Sequence, residues 1–162
     1  MKVIFLDIDG VLNHQAWYKN AKGIKGELKH FDPECVKRLN KITDSTDSKI
    51  VLSSTWRKGK TINDIYSLFE KVGITGELIG LTPVINFSNW NHSMFRGCEI
   101  QCWMEASKGK LGKKLQSWNS YVIIDDDSDM LYWQRKNFFQ TDPSGGGLTV
   151  NLTYKIINFL KS

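Results

Sequence analysis

Cysteine is scarce in this chain: Cys35, Cys98 and Cys102 are the only three among 162 residues. They are too few and too scattered for a disulfide framework. Cys98 and Cys102 stand four apart, as on one helix face, with no second Cys or His pair to complete a zinc site. The three histidines, His14, His30 and His92, show no metal-ligand spacing either. No apolar run approaches membrane-spanning length. The amino-terminal end carries one lysine before a strand that ends in acids, unlike a signal peptide. No internal repeat or low-complexity segment occurs. These absences exclude a disulfide scaffold, a zinc module and a helical membrane protein. They lead us to expect a reduced, cytoplasmic protein with no membrane partner.

What is present is enough for one ordinary domain, expected over residues 1–162. The chain is 41% hydrophobic, which supports a core and argues against disorder. Its net charge of +5 modestly favours anionic partners. The stretch that organises the rest is the first thirteen residues, MKVIFLDIDGVLN. Val3 to Leu6 is a continuous β-branched and aromatic run, the pattern of a strand buried on both faces. It ends in Asp7-Ile8-Asp9-Gly10. On an extended strand Asp7 and Asp9 share a side, roughly 6–7 Å apart. Gly10 lets the chain turn at once. Buried carboxylates need a partner or a metal, and the carboxyl ends of strands are where open α/β sheets bind ligands. The plainer reading is turn capping; the spacing on an all-apolar run favours a site.

Residues 13–31 form a polar stretch without clear periodicity, expected as a flap. It carries Lys19, Lys22, Lys25 and Lys29 against Glu27, with Trp17 and Tyr18 among them. Such a mixture can contact phosphates and stack on bases, or fold back on the body. Asp32-Pro33-Glu34 is a helix start, and the helix is expected to bury Cys35, Val36, Leu39 and Ile42. Ile50-Val51-Leu52 is a second buried strand, ending in Ser53-Ser54-Thr55-Trp56-Arg57. Hydroxyls there suit phosphate oxygens, and Arg57 can add a bidentate contact. An amphipathic helix follows over 61–72, with Ile62, Ile65, Leu68, Phe69 and Val72 on one face and Gly73 at its end. Leu78 and Ile79 begin a third strand, and 82–95 is expected to be a rim loop. A helix over 96–107 opens at Arg96, and Lys108, Lys110, Lys113 and Lys114 follow it. Tyr121 to Ile124 is another buried strand, ending in Asp125 and Asp126. A helical segment over 129–136, a strand at Phe138-Phe139 and a closing helix complete the chain. Alternating strands and helices predict an α/β fold with a parallel sheet and helices on both faces.

If the strands ending at Asp7 and Asp125 are neighbours, their carboxylates can share a cation, and all-oxygen ligation suits Mg²⁺. Asp7 can then attack phosphorus. Asp9 can protonate the leaving oxygen and later activate water.

Asp7-Ile8-Asp9-Gly10-Val11-Leu12 resembles motif I of the haloacid dehalogenase (HAD) superfamily. Ser53 after Ile50-Val51-Leu52 resembles motif II, and Asp125-Asp126 after Val122-Ile123-Ile124 the acidic motif IV. The resemblance implies a three-layer α/β/α Rossmann-like core with a minimal cap. It implies Asp7 as nucleophile and Mg²⁺ ligand, Asp9 as acid/base with its carbonyl on the metal, and Ser53 on the phosphoryl group. Asp125 is implied as a ligand, with Asp126 assisting. Arg96 is the choice for the motif III base, with Lys108, Lys110 and Lys113 as competitors. Ser54, Arg57 and Gly10 are expected at the substrate.

Arg96-Gly97-Cys98-Glu99-Ile100 and Trp103 are similar to the phosphatase domain of polynucleotide kinase-phosphatases. Ser53 to Arg57 and Gly147-Leu148-Thr149 are similar to HAD domains of RNA-repair proteins. That implies removal of terminal 3′ phosphates from RNA or DNA ends. No Gly-rich Lys-Ser/Thr phosphate loop is present, so no kinase half is expected. Two other functions stand beside it: a phosphatase of free nucleotides or small phosphoesters, and a non-catalytic nucleic-acid or protein-binding module.

Overall fold

The computed structural model describes residues 1–85, 95–111 and 120–162, with backbone alone for 108–111. Five strands form one parallel sheet: β1 (Lys2–Leu6), β2 (Ser48–Leu52), β3 (Leu78–Leu81), β4 (Tyr121–Asp125) and β5 (Phe138–Gln140). Their spatial order is β3-β2-β1-β4-β5. The apolar runs read from the sequence are the central strands, and β1 is the middle one.

Alternation along β1 splits the core in two. Ile4 and Leu6 face a cluster with Ile50, Leu52, Val122 and Ile124. Onto it pack α2 (Pro33–Thr46), α3 (Ile62–Val72) and α5 (Val150–Lys161), through Leu39, Ile65 and Ile156 among others. Val3 and Phe5 face the other side, where Ile100, Trp103 and Met104 of α4 (Arg96–Leu111) cover them. The result is a three-layer α/β/α core, as expected. Asp32 caps α2 by accepting from Glu34 N–H at 2.9 Å, and Thr61 with Asp64 forms a capping box on α3.

Three local expectations change. Residues 13–31 are not an aperiodic loop: they form α1 (Gln15–Asn20) and a 3-10 helix, Gly26–His30. The His14 ring caps α1 by accepting from Trp17 N–H, which the usual capping residues do not signal. Helix α4 runs through Gly109 to Leu111, because one interior glycine costs only about 1 kcal/mol. Ile62, expected on the buried face of α3, is 41% exposed at its first position.

The sheet sets up the site. From β1 the chain moves to β2 and β3 on one side, then crosses back to β4 on the other. The carboxyl ends of β1 and β4 therefore flank a topological switch point, the usual ligand crevice of such sheets. Beyond the strands the ladder gains a further rung. Ser53 N–H donates to Leu6 C=O at 2.8 Å, Asp7 N–H to Ile124 C=O at 3.0 Å, and Thr82 N–H to Leu52 C=O at 3.0 Å.

Candidate active site

That extra rung aligns Thr82, Ser53, Asp7 and Asp125 along one edge of the sheet. Leu6 is in register with Ile124, so Asp7 and Asp125 are the next pair across the two central strands. Both are buried. Asp125 Oδ1 accepts from Asp127 N–H at 3.0 Å, but its buried Oδ2 has no hydrogen-bond partner. Arg96, on the first turn of α4, holds its Nε 3.4 Å from that oxygen and its guanidinium 4.0 Å from Asp7 Oδ1. One cation thus faces two buried acids.

Electrostatics follow from that count. Burial raises the Asp7 carboxyl above its usual range, opposed by the Ser54 hydroxyl and Arg96. Burial also raises Asp125, and the neighbouring Asp7 raises it further, with Arg96 again opposing. Asp126 is raised mainly by burial. Carboxyl oxygens of Asp7, Asp125 and Asp126 lie within 4.8 Å of one another. An orphaned buried oxygen within a trio of hard donors is what a divalent cation requires. The residues therefore fit Mg²⁺.

Gly10 has φ of 73°, and a Cβ there would sit 2.4 Å from Asp126 Cγ. Any side chain would displace Asp126. The Gly10 N–H donates to Asn13 Oδ1 at 2.9 Å, so this donor of the residue expected at the substrate is engaged within the loop. Ser53 is buried, and its Oγ lies 3.4 Å from Thr82 Oγ1. The Ser54 hydroxyl reaches Asp7 and also accepts from Trp56 N–H at 3.4 Å.

Arg57 is the clearest departure. Instead of facing substrate it is buried, donating to Ser54 C=O, Thr82 C=O, Pro83 C=O and Glu99. Glu99 in turn accepts from Ile85 N–H at 3.1 Å. Arg57 anchors the loop after β2 to α4 and has little left to offer a phosphate.

Asp9 stands exposed at the mouth. Asn13 Nδ2 donates to its Oδ1 and Trp56 Nε1 to its Oδ2, each at 2.9 Å. Sequence reasoning assigned neither donor a role, although Asn13 follows Asp9 by one helical turn's spacing. Of the motif III competitors, Lys113 and the side chains of Lys108 and Lys110 lie outside the described residues, as do Lys114, His92 and residues 86–94 of the rim. Arg96 is in place.

An aspartate pair at the switch point of a 3-2-1-4-5 parallel sheet, with a serine after β2 and a base opening α4, defines a HAD-type core. A family model for the HAD domain in Swiss Army Knife RNA repair proteins matches residues 3–151, and the chain belongs to that family. No curated protein and no solved structure matches it significantly. Among the described residues no helix is long and apolar enough to cross a membrane.

Proposed function

We propose that this chain is a phosphomonoesterase that removes terminal phosphates from nucleic acid, 3′ phosphates above all, through an aspartyl-phosphate on Asp7. The observation that carries it is Asp7 beside Asp125 at the switch point, with Asp125 Oδ2 lacking a hydrogen-bond partner. Asp7, Asp125 and Asp126, with the Asp9 carbonyl, would hold Mg²⁺, which would supply positive charge against the phosphoryl oxygens.

The chain's own groups do the rest. Ser53 and Arg96 hold the phosphoryl oxygens while Asp7 attacks phosphorus. The bond from phosphorus to the leaving oxygen breaks, and Asp9 gives that oxygen its proton. Asp9 then takes a proton from water, whose oxygen bonds to phosphorus as the bond to Asp7 breaks, releasing inorganic phosphate and the free Asp7 carboxylate. The family's link to RNA repair and the +5 charge support a nucleic-acid substrate. So do the lysines of 13–31 and the Lys60 ammonium 5.5 Å over the Trp56 ring.

The test is a Mg²⁺-dependent phosphate-release screen over 3′-phosphorylated RNA and DNA oligomers, 5′-phosphorylated oligomers and mononucleotides. Fastest release from 3′ ends, weakening steeply with salt, is expected. Faster turnover of mononucleotides would return the chain to small phosphoesters. No release from any substrate would leave a binding module.

A further inference from the structure

The acid of the proposed reaction is held by a residue outside its own motif. Asp9 is exposed, and an exposed carboxylate ordinarily samples several rotamers. Here each oxygen meets one fixed donor, Asn13 on one side and the Trp56 indole on the other. An indole N–H only donates, so it orders the carboxylate and cannot take its proton.

The Trp56 ring is itself constrained. It sits in the 3-10 turn Thr55–Arg57, between the Ser54 cap on its own N–H and the buried Arg57. Edge-to-face contacts fix the ring plane against His30 at 5.4 Å and Phe31 at 5.5 Å. His30 touches Tyr18 in turn, at 6.0 Å. The indole therefore joins three elements: the turn after β2, the end of the 13–31 segment, and the acid after β1.

We infer that Trp56 is a positioning residue, whose N–H holds Asp9 in the orientation for delivering a proton to the leaving oxygen. Ordering a catalytic group in advance removes the entropy of finding that orientation during the reaction. Each carboxylate oxygen has more than one lone-pair site, so the indole leaves room on Oδ2 for a proton. The inference rests on the acid/base role of Asp9 proposed above.

The test uses leaving groups of different need. A 3′-phosphorylated oligonucleotide expels a sugar alkoxide, which requires a proton. p-Nitrophenyl phosphate expels a stable phenolate, which does not. Release of the leaving group is measured in single turnovers of the full chain. Trp56→Phe keeps a ring against His30 and Phe31 but removes the donor. It is expected to slow the oligonucleotide about ten-fold more than the aryl ester, within the range that a general acid supplies. kcat is expected to fall more than KM changes. Asp9→Asn is expected to show the same selectivity more strongly, about 10²-fold or beyond.

Equal losses on the two substrates, or no loss, for Trp56→Phe while Asp9→Asn stays selective would overturn the positioning role and leave the acid in place. An unselective Asp9→Asn would overturn the acid role itself, and this inference with it. If Trp56→Phe fails to fold, 3-benzothienylalanine at position 56 preserves the indole shape without the N–H and gives the same readout.

Discussion

Asp32 and Asp125 are both buried aspartates, and each stands in a trio of metal-capable groups whose donor atoms lie within 4.8 Å. Around Asp32 are His14 and Cys35; around Asp125 are Asp7 and Asp126. The first trio is closed. Asp32 Oδ1 caps α2, and its Oδ2 accepts from His14 Nε2 at 2.8 Å and from the Cys35 thiol at 3.7 Å. His14 Nδ1 accepts from Trp17 N–H, which places the ring proton on Nε2. Burial and Asp32 push the Cys35 thiol up to about 11, and Arg38 lies 3.8 Å from its sulfur. Every donor there already has an acceptor. The second trio is open: two buried acids share one arginine at 3.4 and 4.0 Å, and one of their oxygens has no hydrogen-bond donor. Proximity of ligand-type atoms does not make a site; unmet demand does.

Activity separates the two trios most widely. Asp7→Asn is expected to lower phosphate release on the order of 10⁴-fold or more while the fold survives, since the proposed nucleophile is lost. Asp125→Asn follows it in direction. Asp32→Asn is expected to leave release within about three-fold and to cost about 1–2 kcal/mol of stability, through its cap and histidine bonds. Release assays beside urea unfolding separate the two. An Asp32→Asn chain as inactive as Asp7→Asn would end the distinction.

The same contrast separates the two arginines. Arg57 donates to four groups, one of them buried Glu99, whereas Arg96 faces acids at 3.4 and 4.0 Å. Arg57→Ala strands Glu99 and is expected to cost about 3–5 kcal/mol in denaturant unfolding. Arg96→Ala is expected to cost far less stability and to lower release about 10²-fold. This reverses the sequence reading, in which Arg57 served substrate more than folding. A stable Arg57→Ala chain with a raised KM would restore that reading.

Local pattern explains what could be read in advance. The β1 run, the Asp7-to-Asp9 spacing, the α2 cap and the α3 face are all periodic or adjacent signals. The neighbouring of β1 and β4 had to be supposed; the register then sets Asp7 beside Asp125. What stayed hidden is pairing between side chains far apart in sequence. Arg57 with Glu99, Trp56 with Asp9 and His14 with Asp32 are contacts of single residues, and no repeat marks them. The His14 cap falls within the aperiodic 13–31 stretch because a histidine cap has no strong sequence signature.

The smallest effect expected is also the one that compares the trios without any turnover. Asp7 and Asp125 both have raised carboxyls in the folded chain, Asp125 to about 8. Between the ordinary carboxylate range near pH 4 and that value, the folded state binds more protons than the unfolded state. Metal-free stability from this pair is therefore present at low pH and declines as pH rises through the window. Mg²⁺ competes with those protons, so its stabilisation should be larger at pH 8 than at pH 5, by about 1–2 kcal/mol at many times Kd. That corresponds to roughly 2–4 °C per kcal/mol in Tm for a chain of this size. Asp125→Asn removes one of the two charges. It should be more stable than the wild type at pH 8 in EDTA and should lose the Mg²⁺ shift. Asp32→Asn should keep that shift in full, because its trio has no unmet oxygen for the ion to find. Thermal scans of the three chains at the two pH values, with EDTA or Mg²⁺, decide it. Equal shifts in all three would place the ion elsewhere and remove the reason for calling one trio open.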